Sequence, residues 1–232
     1  MERQPFSSHV LTFLLFTILL LISNWQATLA TNATKTKTTV FITNACKSVT
    51  YPELCMRSLS SYAFTIKTNP TKLATAALTV SISAAQNTSS LISKLLQKPG
   101  LSRFESATLK DCLSQLGDGI GELNDSLKAL KKLNRANMRF QIANVQTWVS
   151  AALTNDDTCN DGVSDKHIST SLKNSVKKSV LNLAMLTSNA LSIYVARRNP
   201  DLNPVSPHSG RSIEDEHSWQ KVETLVDLSP VP

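Results

Sequence analysis

The chain has 232 residues, of which 41% are hydrophobic and 18% charged, with a formal net charge of +7. That balance is too apolar for a chain disordered throughout and leaves room for one compact domain with a sizeable core. Histidine is scarce, and beyond the first thirty residues only His167, His208 and His217 remain. No nucleophile–base pair, metal set or carboxylate dyad can be assembled, so the composition points away from an enzyme and implies no cofactor or metal.

The N-terminus opens with Arg3, continues through a nearly uninterrupted apolar run from Val10 to Ile22, and reaches Ala27-Thr28-Leu29-Ala30 after a polar stretch. This is the layout of a secretory signal peptide over residues 1–30, cleaved after Ala30. The apolar run is shorter than the ~20 residues that a membrane span needs. The mature chain is therefore expected outside the cell, without a membrane anchor, where thiols oxidise. Sequons at Asn32, Asn87 and Asn124 fit that compartment as glycosylation candidates.

Beyond Asn199 the composition changes. Five of the nine prolines lie there, with two basic and six acidic residues, so residues 199–232 read as a disordered Pro-rich acidic tail. Because the leader is neutral and the tail carries −4, the body from Thr31 to Arg198 carries +11. A body this basic favours acidic polymers or acidic partner surfaces.

No proline occurs between Gly100 and Asn199, and Leu, Ala, Lys and Ser dominate that stretch. The composition suits long helices and not a sheet. Asn69-Pro70 is a helix-start signal and Pro99-Gly100 closes the segment it opens, in which Leu73, Ala77, Val80, Ala84 and Leu91 mark an apolar stripe. Ser102 with Glu105 forms a capping box ahead of the strongest period in the chain, Leu109, Leu113, Leu116, Ile120, Leu123, Leu127 and Leu130. A third helix carries Met138, Ile142, Val145, Val149, Ala152 and Cys159 in one frame, with Asp156 as a polar interruption. The fourth runs from about Ile168 to Arg198 with Leu172, Val176, Val180, Leu183, Leu186, Ala190 and Ile193 inside. Short connections near Pro99-Gly100, Asn134 to Asn137 and Gly162 to Lys166 make neighbours antiparallel. The expected fold is all-α: an up-down-up-down four-helix bundle over residues 69–198, preceded by an N-terminal helical hairpin over residues 31–68.

The cysteines test that topology, because residues equidistant from an antiparallel turn lie at one height. Cys112 and Cys159 are centred on the Asn134 to Asn137 turn, each roughly 35 Å from it at ~1.5 Å per residue. Cys46 and Cys55 are centred on Thr50-Tyr51-Pro52. Of the three possible pairings, Cys46 with Cys55 and Cys112 with Cys159 is the one this geometry selects.

Other features carry less. Gly117-Asp118-Gly119-Ile120-Gly121 lacks the preceding strand and spacing of a nucleotide loop, and reads as close helix approach or a local kink. Asp156, Asp157, Asp161 and Asp165 lack the alternate spacing of a calcium loop. Lys131, Lys132, Arg135 and Arg139 form a basic run at a turn with few aromatics, a pattern that suits a solvated face better than nucleic-acid binding.

Four segments then carry a resemblance: Cys46-Lys-Ser-Val-Thr-Tyr51-Pro52-Glu-Leu54-Cys55, Leu109-Lys-Asp111-Cys112, Trp148 through Thr158-Cys159, and Leu186-Thr187-Ser188-Asn189-Ala190-Leu191. In order and with this cysteine spacing, over about Phe41 to Ala196, they resemble the plant invertase and pectin methylesterase inhibitor family. The resemblance implies the same bundle, hairpin and disulfides, and 1:1 inhibition of a cell-wall enzyme in the apoplast. Invertase inhibitors of the family resemble one another in a Pro-Lys-Phe element, and this chain has no such tripeptide. The residues after Cys159, with Trp148 and Leu186 to Leu191, look closer to the pectin methylesterase branch.

For that enzyme the resemblance implies occlusion of a carboxylate-lined cleft by the second and third bundle helices. Thr154, Asn155, Asp156 and Asp157 are the candidate partner-binding residues, and acidic pectin is the polymer that the basic body could attract. Three other readings stay open: an inhibitor of acid invertase, the pro-region of a pectin methylesterase precursor, with Arg197-Arg198 as a processing site, or a secreted helical carrier of an apolar ligand.

Overall fold

The structure, a computed structural model, describes residues 8–134 and 136–198. The proposed disordered tail, residues 199–232, lies outside them, as do the side chains of residues 20–35, including the Asn32 sequon. Among the described residues seven α-helices and one 3-10 turn follow in order: α1 Ser8–Lys47, α2 Pro52–Leu59, the turn Ser60–Tyr62, α3 Ala63–Ile66, α4 Pro70–Leu96, α5 Arg103–Lys131, α6 Met138–Val163 and α7 Thr170–Arg198.

The helix ends follow local chemistry. The Asn69 side chain accepts from the Thr71 and Lys72 amides and Pro70 fixes the first turn of α4. Ser102 and Glu105 complete the capping box of α5. Asn134 and Asn137 each donate a backbone N–H to the other's side-chain oxygen, at 3.0 Å both ways, which closes the turn between α5 and α6. α1 runs without a break from Ser8 past Ala30 to Lys47, because neither proline nor glycine occurs within it and polar residues alone do not stop a helix. The hairpin's first arm is thus the C-terminal end of a longer helix, and its second arm is interrupted by the 3-10 turn.

Helices α4 to α7 form the bundle, with α5 between α4 and α6, and α7 closing the ring against α4 and α6. Cys112 and Cys159 are joined at a Cα separation of 4.5 Å and Cys46 and Cys55 at 5.5 Å. The α5–α6 register set by the first pair brings Gly119 opposite Ala152, whose atoms lie 3.7–3.8 Å from the position a β-carbon on Gly119 would take.

The buried seams differ by one flank from the expected stripes. On α5 they are Leu109, Leu116, Leu123 and Leu130 in one column and Glu105, Cys112, Gly119 and Ser126 in the other, while Leu113, Ile120 and Leu127 are half-buried. On α4 the face runs Ala74, Leu78, Ser81, Ala85, Thr88, Ile92 and Leu95, with Val80, Ala84 and Leu91 half-buried at its edge. Small polar residues occupy seam positions because they satisfy themselves. Ser81 and Ser126 donate to carbonyls one turn back, and the Thr88 hydroxyl meets both the Ala84 carbonyl and Ser179 Oγ of α7. On α6 and α7 the expected inner residues from Ile142 and Leu172 onward are buried, whereas Met138 is 40% exposed.

The interior forms two apolar clusters. One, at the hairpin end, gathers Ile42, Leu59, Ile66, Leu78, Leu123, Leu130, Val149 and Tyr194. The other, beneath the α4–α5 and α6–α7 loops, gathers Ile92, Leu109, Leu116, Val163, Val176 and Leu183. In sequence the boundary between them falls on Gly119, Asp156 and Thr187, a polar waist of the bundle.

Gly117 and Gly121 have open space where a side chain would go. Gly117→Ala and Gly121→Ala should each stabilise the fold by up to about 1 kcal/mol, read as a rise in denaturation midpoint. Cys112→Ser opens a loop with a sequence separation of 47, so a loss of about 4 kcal/mol and one titratable thiol at Cys159 are expected. If Cys159 stayed oxidised within the monomer of that variant, the pairing would be wrong.

Candidate functional site

The four residues singled out on α6 do not share a surface, because successive helical residues turn by about 100°. Thr154 is exposed, and its hydroxyl donates to the Ser150 carbonyl at 3.1 Å. Asn155 is half-buried at the seam with α5, where its amide donates to Glu122 Oε2 at 3.1 Å. Asp156 points into the bundle and is 3% exposed. Asp157, roughly 200° round the helix from Asn155, is half-buried on another flank.

Thr154 and Asn155 thus open onto the outer face of the α5–α6 pair. On α6 that face carries Thr147, Thr154 and Thr158, whose hydroxyls are all turned back onto carbonyls of the preceding turn. On α5 it carries Ser114, Asp118, Gly121 and Asp125, all exposed. The face is built largely of small side chains and is bordered by carboxylates. Glu122 is raised in pKa by burial and then by the neighbouring Asp118, against the Asn155 bond that lowers it. Such a face presents little to desolvate except this acidic rim.

Asp156 plays an internal part. The Thr187 hydroxyl lies 3.2 Å from Asp156 Oδ2 and 3.1 Å from the Leu183 carbonyl. A hydroxyl carries one proton. Thr187 shares that proton between the carbonyl and Asp156, so the buried carboxyl receives only part of one hydrogen bond to offset its desolvation. Burial raises the Asp156 pKa well above 3.8, and Asp157 and Glu122 add to the rise while Thr187 opposes it. Glu105 is the opposite case. Its carboxylate accepts from the Ser102 and Ser169 backbone amides at 2.9 and 3.0 Å, which lowers its pKa to about 2 and ties the start of α7 to the start of α5.

The segment Leu186 to Leu191 is buried at all six positions, which one helix face cannot achieve. Thr187 faces α6, while Asn189 holds the hairpin: its Oδ1 accepts from the Tyr51 amide and its Nδ2 donates to the Tyr51 carbonyl, both at 2.9 Å. Ser188 adds a longer contact, 3.4 Å, to Thr50. Sequence reasoning missed Asn189 as a clamp; its only signal was a polar triplet inside an apolar helix. Of the two sequons described, Asn87 is exposed, whereas Asn124 is half-buried with its amide donating to the Ile120 carbonyl at 2.8 Å.

These two carboxyl groups predict opposed pH dependences. A raised pKa makes the folded state hold a proton that the unfolded chain releases, so Asp156 costs stability as pH rises above 3.8 towards its folded value. Asp156→Asn should therefore raise the melting temperature more at about pH 7 than at about pH 4, and an equal shift at both would contradict a neutral acid. Glu105 contributes stability above 4.5 that is lost as pH falls towards about 2. Glu105→Gln should flatten that acid limb.

Comparison with known proteins places this geometry. Residues 40–193 match the family described as plant invertase/pectin methylesterase inhibitor. Pectinesterase inhibitor 11 of Arabidopsis thaliana is 38% identical over 200 residues, 84% of this chain and 98% of that protein. Pectinesterase inhibitor 10 of the same plant is 40% identical over 156 residues, 66% of this chain but only 49% of its own length. A crystal structure of mutant form A of a pectin methylesterase inhibitor from Arabidopsis superposes with a TM-score of 0.53 at 22% identity, over 65% of this chain and 92% of that one, which concerns the fold alone. The match over the hairpin turn, both disulfides and all four bundle helices means that the chain belongs to the plant invertase/pectin methylesterase inhibitor family.

Proposed function

We infer that the protein is an inhibitor of pectin methylesterase. The alignment with Pectinesterase inhibitor 11 across nearly all of that protein carries this reading. It acts by occlusion: the outer α5–α6 face, with Thr154 and Asn155 on α6 and Asp118 and Glu122 on α5, lies across the enzyme's substrate cleft in a 1:1 complex. Asp157 borders the contact, and Asp156 supports it from inside by holding α6 against α7. A face of small side chains permits close backbone approach, and the net positive charge of the body steers the approach to an acidic groove at long range, more strongly at low salt, while the carboxylates of the rim must stay hydrated or find donors on the enzyme.

The chain is secreted to the apoplast, its leader cleaved after Ala30, and Asn87 carries glycan. Of the α1 leader residues whose side chains are described, Phe13, Leu14, Leu15, Phe16, Ile18 and Leu19 all stand exposed, as befits a segment that is no part of the bundle. A carrier role fits poorly where the hairpin meets α4 and α7. The gap lined by Leu59, Ala77, Val80, Leu186 and Ile193 measures about 10 Å³, no more than one water.

Titration of the secreted protein against a plant pectin methylesterase and an acid invertase tests the reading. Inhibition of the esterase, saturating at one inhibitor per enzyme, is expected; inhibition of invertase alone would overturn it. Thr154→Trp, which places bulk on this exposed face, should weaken inhibition by about tenfold or more with little change in folding.

A further inference from the structure

From Ser126 to Asn155 the chain contains no acidic residue, yet it holds Lys128, Lys131, Lys132, Arg135 and Arg139. In the fold this stretch is the end of α5, the turn, and the start of α6. Of the acids of the same two helices, Glu105, Asp111, Asp156, Asp157 and Asp161 lie towards the other end, while Asp118, Glu122 and Asp125 occupy the part of α5 that leads up to this stretch. The α5–α6 pair is therefore charged unequally along its length, with a cationic tip. Lys131, Lys132 and Arg139 are exposed and form no ion pair among the described residues, while Lys128 pairs with Asp125 at 2.9 Å.

The tip also carries apolar surface. Phe140 is 66% exposed and Met138 40% exposed, on the first turn of α6, while Ile142 and Val145 take the inward positions. The turn that holds them is fixed by the reciprocal Asn134–Asn137 bonds and by Asn137 Nδ2 donating to the Lys132 carbonyl at 3.2 Å. Unpaired cations beside an exposed aromatic ring on a fixed turn suit a linear chain that has both carboxylates and sugar C–H faces.

We propose that this tip binds a polyuronate strand, the carboxylated homogalacturonan that a pectin methylesterase produces. The inference rests on the inhibitor reading for the source of the polymer. Hydrolysis of each methyl ester releases methanol and leaves one carboxylate, so the product gains a negative charge that the substrate lacks. Lys131, Lys132 and Arg139 pair with those carboxylates, and Phe140 and Met138 stack on sugar rings. The tip lies at one end of the face assigned to the enzyme, so the inhibitor is retained where de-esterification has already occurred.

The test measures binding of the secreted protein to de-esterified polygalacturonate and to highly methyl-esterified homogalacturonan, at about 0.05 M and about 0.3 M salt. Esterase inhibition is read separately in solution. Binding to polygalacturonate should be about tenfold or more tighter than to the ester, and should weaken in salt. The triple variant Lys131→Gln/Lys132→Gln/Arg139→Gln should lose about tenfold, whereas Lys94→Gln/Lys98→Gln/Lys178→Gln, with the same loss of charge at the bundle's other end, should lose less than about threefold. Phe140→Ala should weaken binding several-fold without changing its salt dependence.

Equal losses in the two triple variants would overturn the proposal, since net charge alone would then be at work. So would equal binding to the two polymers, or equally tight, tip-dependent binding to phosphatidylserine vesicles. Absence of esterase inhibition with tip-dependent polygalacturonate binding intact would strike the inhibitor reading and leave this surface standing.

Discussion

The rest of the structure depends on the register between α5 and α6. The Cys112–Cys159 bridge, with its Cα atoms 4.5 Å apart, fixes which residue of one helix faces which residue of the other. From that alignment follow the Gly119–Ala152 approach, the Asn155–Glu122 bond across the seam and the position of the Asn134–Asn137 turn. A slip along the seam would move Asp156 away from Thr187 and leave its carboxyl unpaired in an apolar interior, at a cost of several kcal/mol. The covalent tie and the buried polar pair therefore specify the same arrangement by independent means.

The polar waist explains an apparent waste of core volume. Two apolar clusters, one under the hairpin and one beneath the distal loops, meet where Gly119, Asp156 and Thr187 interrupt the aliphatic columns. An all-leucine seam would be more apolar but could settle in several registers; a single hydrogen-bonded polar layer discriminates among them. Asn189 does for the hairpin what Asp156 does for the bundle, holding the Tyr51 backbone through both of its amide atoms. Of the two buried carboxyl groups, Asp156 contributes less as pH rises above 3.8 and Glu105 less as pH falls below 4.5, so they oppose each other across the acidic range.

These internal devices leave the outer α5–α6 face, apart from the Asn155–Glu122 bond at its seam, free of structural duties. Its threonines are satisfied within their own helix, and Gly121 has no neighbour where a side chain would sit. Glycine in a helix interior is unfavourable by up to about 1 kcal/mol, so Gly121 on this exposed face is easier to understand as clearance for a partner than as packing. Beyond them the same helices end in a cationic, partly aromatic tip. The proposed enzyme face and the proposed polymer site would thus follow one another along a single helix pair.

Much of this was readable in the order of residues. Helix limits follow from Asn69-Pro70 and from Ser102 with Glu105, because caps and first turns are local chemistry. The disulfide pairing follows from equal distances to a turn. What the residue order could not supply was the rotation of each helix. Leu113, Ile120 and Leu127 share a period with the true seam and are apolar enough to be mistaken for it, while the seam itself includes Cys112, Gly119 and Ser126. Periodicity gives the spacing of a buried face but not its phase when neighbouring columns are equally apolar. The phase is decided by which small residues allow two backbones to approach. Likewise Thr154, Asn155, Asp156 and Asp157 are one polar patch in sequence, and only the packed bundle separates the residue that faces Thr187 from those that face outward. Local interactions along the chain determined where helices begin, end and turn; contacts between helices distant in sequence decided which side chains became core and which were left for a partner.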